Sequence, residues 1–332
     1  VAANDGNWHI INAGWRSSDG DAKVWLDGNE EYTTTHQAGT SITANGCFAI
    51  AGEQDAIDGG YVAAQAHLGD FAEVLVFNIS LNDAQMIIVN NYLAAKYNIA
   101  LTSNDYYAYE TSHSFDVAGI GRESATETHT DAMSDDILEV DNPSGLDVDQ
   151  EYLLFGHDDG DVVTSWTTTE APNGGSDIQR LAREWRFSES NGDVGTIDFT
   201  IDVATFPALP AGFTSYGIMV DGDGDFSTGA TVYEVGLVAG TLYDVTGINI
   251  ADGDFVAICA IDPKVSFSTD KSDDFEPNNA AIDIELNYIP RNDVTVDYTT
   301  ADGSALVAQP DYTAATGSTA TITAGSISTS IT

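Results

Sequence analysis

Basic residues are the scarcest chemistry in this sequence. Lys and Arg total 10 against 53 Asp and Glu in 332 residues, a formal charge of −43. Such a surface repels phosphate backbones and anionic bilayers, which excludes nucleic-acid and membrane-surface binding as functions. Cysteine is nearly absent as well, and two residues cannot build a disulfide framework. Cys47, in Gly-Cys-Phe-Ala-Ile, and Cys259, in Val-Ala-Ile-Cys-Ala, both lie in apolar strand-like runs and read as buried thiols. No stretch approaches the ~20 apolar residues of a membrane helix, so no membrane insertion is expected. An initiator Met and a signal peptide are also missing, as in a mature protein or an internal fragment.

Catalytic patterns are missing too. The six histidines (His9, His36, His67, His113, His129, His157) share no metal-ligand spacing, and no Gly-x-Ser-x-Gly elbow occurs. Neither cysteine has the electropositive setting of a reactive thiolate. Carboxylate pairs for glycoside hydrolysis arise by chance among 53 acids and carry no signal here. Arg180, Arg183 and Arg186 gather 3 of the 10 basic residues, and pairing with surplus acid explains them better than a substrate clamp. The chain is expected to be non-catalytic.

What remains is substantial. With 42% apolar and 10% aromatic residues, the chain can build cores and is not a disordered polyanion. Its acid is therefore a solvated surface, a set of ligands for hard cations, or both, and salt water or millimolar calcium would suit it. This points to a secreted or cell-surface location. Gly, Asn, Asp, Ser and Thr punctuate short apolar runs almost throughout, which predicts strands and turns. Residues 83–97 differ. Met86, Val89, Leu93 and Tyr97 mark one helical face, with Asn82 as N-cap and Asp83 in the first turn. The fold class expected is mainly β, as serial β-sandwiches with one helix near 83–97.

Three blocks follow: residues 1–101, with strands over Asp21–Gly28 and Ala72–Phe77 and then the helix; residues 102–263, ending on the apolar run Asp254–Ile261; and residues 264–332. In the last, Val294, Val296 and Tyr298 alternate with Thr295, Asp297 and Thr299, a strand with one wet face.

The first block resembles the C-terminal part of a concanavalin-like jelly roll of the laminin-G and pentraxin kind. The residues concerned are Asn7-Trp8-His9, Val24-Trp25-Leu26-Asp27-Gly28, Gly52-Glu53-Gln54-Asp55, Gly59-Gly60-Tyr61 and Gly69–Val74. The resemblance implies calcium ligands at Glu53, Gln54 and Asp55, with Gln65 further on. Val62 stands where the family carries an acid before that Gln, so one ion is expected. The second block resembles an uncharacterised β-sandwich that follows laminin-G-like modules in large bacterial surface proteins, through Asp116–Arg122, Tyr152–Asp158 and Arg183–Arg186. Within it, Asp221-Gly222-Asp223-Gly224-Asp225-Phe226 alternates acid with glycine as a calcium half-motif does. Val232 stands where a full EF-hand loop has Glu, and a plain acidic turn is the alternative. His157-Asp158-Asp159-Gly160-Asp161 is a weaker relative of that pattern. The third block resembles a truncated Calx-beta domain, an Ig-like sandwich, through Val294–Ala305 and Asp311-Tyr312. That resemblance implies calcium ligands at Glu276 and Asp302.

Together these suggest a calcium-stabilised segment of an extracellular adhesin or cell-surface fibre. Its partners would be neighbouring domains of a longer chain or copies in a fibre, and in the fibre version strands from another copy would complete the third block near Val294–Tyr298. A calcium-dependent glycan-binding module is the second reading, and a glycosidase joined to a lectin module a remote third. A binding module keeps an aromatic platform exposed beside the calcium loop, so Trp15 and Tyr61 separate the first two.

Overall fold

The computed structural model describes residues 3–42, 49–52, 55–56, 59–142, 146–268, 281–302 and 312–331. It is mainly β with one α-helix, and it divides into two compact units: residues 1–82 with 101–103, and residues 83–100 with 104–332.

In the first unit β1 (Ile11–Arg16), β2 (Asp21–Leu26) and β3 (Asn29–Thr35) form an antiparallel meander. Its second turn is Asp27-Gly28, both left-handed (φ 49 and 82), the dipeptide that suits the right-handed twist of a hairpin. A Cβ on Gly28 would lie 2.4 Å from the Ser103 carbonyl oxygen, so no other residue fits there. Trp25 and Leu26 are buried. Ala72–Phe77, expected as a strand, lies outside every strand found among the described residues, and Val76 and Phe77 are exposed. Composition gives a segment strand character, but a strand also needs a ladder partner.

The second unit opens with α1 (Asp83–Tyr97). Asp83 sits in its first turn and Lys96 in its last, each favourable to the helix dipole. The Asp83 amide donates to a Glu127 carboxylate oxygen at 2.8 Å. At the other end Asn98 turns left-handed (φ 52) and the Ile99 amide reaches back to Ala94 O at 3.1 Å, a Schellman ending. Ala84, Ile87, Ile88 and Ala95 share a core with Tyr107, Val117, Tyr152 and Leu154. This face lies beside the expected one, whose Val89, Leu93 and Tyr97 are half-buried. Asn91, 0% exposed, explains the shift. Its amide donates to Ile87 O and Asn104 O, and its carbonyl accepts the amides of Tyr106 and Tyr107, so a polar residue occupies the centre of the buried face. The helix therefore groups with the second unit, not with the first block.

Twelve strands follow: β4 (Phe115–Ser124), β5 (Glu127–His129), β6 (Asp131–Ser134), β7 (Leu138–Asp141), β8 (Glu151–His157), β9 (Ile178–Ser190), β10 (Thr196–Asp202), β11 (Ser215–Asp221), β12 (Thr231–Glu234), β13 (Gly236–Ala239), β14 (Leu242–Asn249) and β15 (Phe255–Ile261). They make a five-stranded sheet, β13-β14-β10-β7-β6, and a seven-stranded sheet, β12-β11-β15-β9-β8-β4-β5. The main core joins Leu138 and Val140, Ile197 and Phe199 of the first sheet to Leu153, Phe155, Trp185, Phe187, Val256 and Ile258 of the second.

The seven-stranded sheet is covered on both faces. On β8, Leu153 and Phe155 enter the main core while Tyr152 and Leu154 meet α1. On β15, Val256 and Ile258 enter the main core while Ala257, Cys259 and Ile261 enter a third cluster. Double burial explains why these strands read as continuous apolar runs. That third cluster contains Ile284 and Leu286 of β17 (Ile282–Leu286) and Ala320 and Ile322 of β19 (Ser318–Ile322). β16 (Val265–Phe267), β17 and β20 (Ser328–Ile331) form one small sheet, and β18 (Val294–Tyr298) pairs with β19 in another. β18 alternates half-buried and exposed residues as expected. The third block thus packs its core on the outer face of β11 and β15.

Cys259 is buried and its thiol pKa is pushed up by burial. Cys47 lies outside the described residues.

Candidate functional site

The acidic loop of the first unit is described at Asp55 and Ala56 and again from Gly59; Glu53 and Gln54 lie outside the described residues. Asp55 is exposed, and the segment after it is pinched by an isolated bridge between Ala56 and Gly59. Gly60 is left-handed (φ 76), and a Cβ there would lie 2.8 Å from Asp55 Cβ, so the tight return needs glycine. That return delivers Tyr61, 54% exposed, beside the loop. A Cβ on Gly52 would be 3.4 Å from the Tyr61 ring, so the ring stands over the loop's glycine as well. Gln65 ends a short 3-10 turn, Ala63–Gln65, and its side chain lies outside the described residues. Trp15 is placed differently: it is half-buried on β1, and its indole N–H donates to His36 O at 2.8 Å. The structure thus sets Asp55 against Gly60, the residue before Tyr61.

At the start of the same unit, His9 bridges two acids. Its Nδ1 lies 2.7 Å from Asp27 Oδ2 and its Nε2 lies 3.0 Å from Asp5 Oδ1. Asp27 also accepts the Ile10 amide at 2.9 Å. The hydrogen bond to Asp27, then that to Asp5, raises the imidazole pKa, while the Asp5 carboxyl falls to about 2, mainly through His9.

In the second unit the loop after β11 turns its carboxylates inward on its own amides. Asp221 Oδ1 accepts the amides of Asp223 and Gly224, both at 2.8 Å. Asp223 Oδ1 accepts the Asp225 amide at 2.9 Å, and Asp225 Oδ1 accepts the amide and hydroxyl of Ser227. Burial raises the Asp221 pKa, whereas the Ser227 hydroxyl lowers that of Asp225. Phe226, fully buried, anchors the loop beneath the Arg180 guanidinium, 5.2 Å from the ring centre. In the third block Asp302 is exposed and accepts the Tyr312 hydroxyl at 2.9 Å. Glu276 lies outside the described residues.

A convergent group arises elsewhere. Among the described residues, Asp116, Asp135 and His157 bring one ligand atom each within 4.8 Å of one another. A register break between Phe115 and Ala118 turns Asp116 left-handed (φ 42). Asp135 and Asp136 form the left-handed β6–β7 turn (φ 52 and 54). Ser134 ties the two together, donating to Asp116 O at 2.9 Å and accepting the Trp185 indole N–H at 3.2 Å. His157 ends β8 with its ring between Phe115 and Trp185. No linear spacing connects these residues, so only the sheet order could reveal them; the His157–Asp161 stretch marked one member.

The three arginines divide their roles. Arg180 pairs with Glu170 at 2.7 Å and Glu184 at 2.8 Å, and Arg183 pairs with Asp135. Arg186 instead lies over the rings of Tyr109 and Phe255, 3.7 and 4.5 Å from their centres.

Comparison with known proteins gives two overlapping family matches. Residues 85–254 match the family described as Domain of unknown function (DUF8202), and residues 1–114 match the Pentaxin family. C-reactive proteins of Mesocricetus auratus and Rattus norvegicus are each 32% identical over 78 residues, covering 24% of this chain and 34% of the relative. The chain therefore spans about a third of the length of these curated relatives. No solved structure matches. No helix among the described residues is long and apolar enough to cross a membrane.

Proposed function

From the premise that this chain belongs to the DUF8202 family, we propose that it is a non-catalytic segment of a secreted or surface-attached adhesive protein. Its first unit is a calcium-dependent, lectin-like module, and its second unit is the rigid body that carries it. The observation carrying this reading is the placement of Tyr61, which stands 54% exposed on the tight return that follows Asp55. An exposed ring with carboxylates beside it suits a sugar, whose apolar face stacks on the ring while its hydroxyls meet oxygen ligands or their ion. Similarity to the Pentaxin family supports the assignment of calcium to Glu53, Gln54 and Asp55.

The second unit suits a spacer, because its seven-stranded sheet is buried on both faces. Resemblance of the third block to Calx-beta domains supports a further calcium role for Glu276 and Asp302, and an adhesin or fibre setting of bacterial type. The charge of −43 agrees with a calcium-rich, salty exterior.

The test is retention of the chain on immobilised glycans in millimolar CaCl₂ and in chelator. Retention should require calcium and fall at least fivefold in Tyr61→Ala. Calcium-independent retention, or a Tyr61→Ala variant that binds as well as the parent, would sink the lectin-like assignment.

A further inference from the structure

We propose that Asp116, Asp135 and His157 of the second unit form a site for a divalent ion of the zinc type, separate from any calcium loop. The group is more than a cluster of acids, because His157 is 1% exposed and its Nε2 has no hydrogen-bond partner. A buried polar atom left unsatisfied is costly and calls for an ion or a water.

Geometry favours the ion. Nε2 lies 3.4 Å from Asp116 Oδ2, at the long limit of a hydrogen bond. Yet zinc bonds of ~2.1 Å to nitrogen and oxygen place tetrahedral ligands about 3.4 Å apart. Asp135 gives one oxygen to Arg183 and keeps a second for the metal. Charge agrees as well. Arg183 pairs with Asp135 and lies 3.9 Å from Asp159, while Asp116 faces His157 instead, so three carboxylates share one guanidinium and 3 − 1 = 2 negative charges remain for a divalent ion to cancel. An imidazole with two carboxylates suits zinc better than calcium, which takes six to eight oxygens.

Loading has a structural signature. Nδ1 of His157 accepts the Asp159 amide at 3.0 Å, so the neutral ring carries its proton on Nε2. An ion at Nε2 moves that proton to Nδ1 and turns the Asp159 amide away, with no net proton released.

The experiment is calorimetric titration of the full chain with ZnCl₂, alongside Asp116→Asn and Asp135→Asn. Asparagine tolerates the left-handed backbone at both positions, so the fold should persist. Each variant should bind zinc at least tenfold more weakly than the parent, and zinc should shift the Asp159 amide resonance of the parent. The variants are read separately, so loss of fold in one leaves the other to decide. Absence of zinc binding, equal binding by parent and folded variant, or displacement by equimolar calcium would overturn the proposal.

Discussion

His9 shows how one residue couples local structure to pH. Its two acidic partners raise the imidazole pKa above the ordinary 6.5. A group with a raised folded pKa contributes stability fully below its unfolded value, and that stability disappears as pH rises through the folded one. The first unit should therefore lose stability as pH rises above about 6.5, and His9→Gln should abolish that slope. Denaturant melts of parent and variant from pH 5 to 9 check this; parallel curves would contradict it. His113 behaves in the opposite sense, since burial lowers its pKa to about 4. Its neutral form is favoured in the fold, so its contribution is present above pH 6.5 and fades toward pH 4, by at most about 3 kcal/mol. Its ring protons, followed by NMR, should titrate with a midpoint near 4, and a midpoint near 6.5 would mean a hydrated ring. Neither case was legible in the sequence. His9 showed as a motif residue, but pKa depends on which acids the folded chain brings within hydrogen-bonding reach.

Among the elements, α1 was legible as a helix because its 3–4 spacing is unambiguous. Its inward face was not, since Asn91 reads as a surface residue until its four backbone partners are seen. Ile87→Ala should cost about 2–5 kcal/mol, as for a buried aliphatic truncation, and Leu93→Ala clearly less because Leu93 is half-buried. Equal losses in urea melts would contradict the assigned face. β15 was legible as a strand from its apolar run, and its double burial shows why the run has no alternation. Ala72–Phe77 carried the same signal without entering a sheet. Pairing is a property of neighbours, which a single segment cannot encode.

For the molecule as a whole, the mainly β class and the acidic surface were plain in the composition, whereas the sharing of cores was hidden. Residues beyond Pro263 cover Ile178, Met219, Ala257 and Ile261. Deleting residues 264–332 should therefore lower the melting temperature of the DUF8202 region and expose a patch that binds hydrophobic dyes. An unchanged melt would mean that the third block is an independent module. The candidate calcium loop was legible only through resemblance, because acid is so abundant that no single carboxylate stands out.

The central claim is that calcium binds specifically at the loop around Glu53 and Asp55. Calorimetric melting in chelator, in millimolar CaCl₂ and in NaCl of equal ionic strength tests it most directly, on the parent and on a Glu53→Gln, Asp55→Asn variant. A ligand at a hundredfold excess over its Kd adds about 2.7 kcal/mol to the folded state. The parent should therefore melt higher in calcium than in NaCl, and the variant should lose most of that difference. Identical melting in the two salts, or a variant that keeps the full calcium response, would contradict the account.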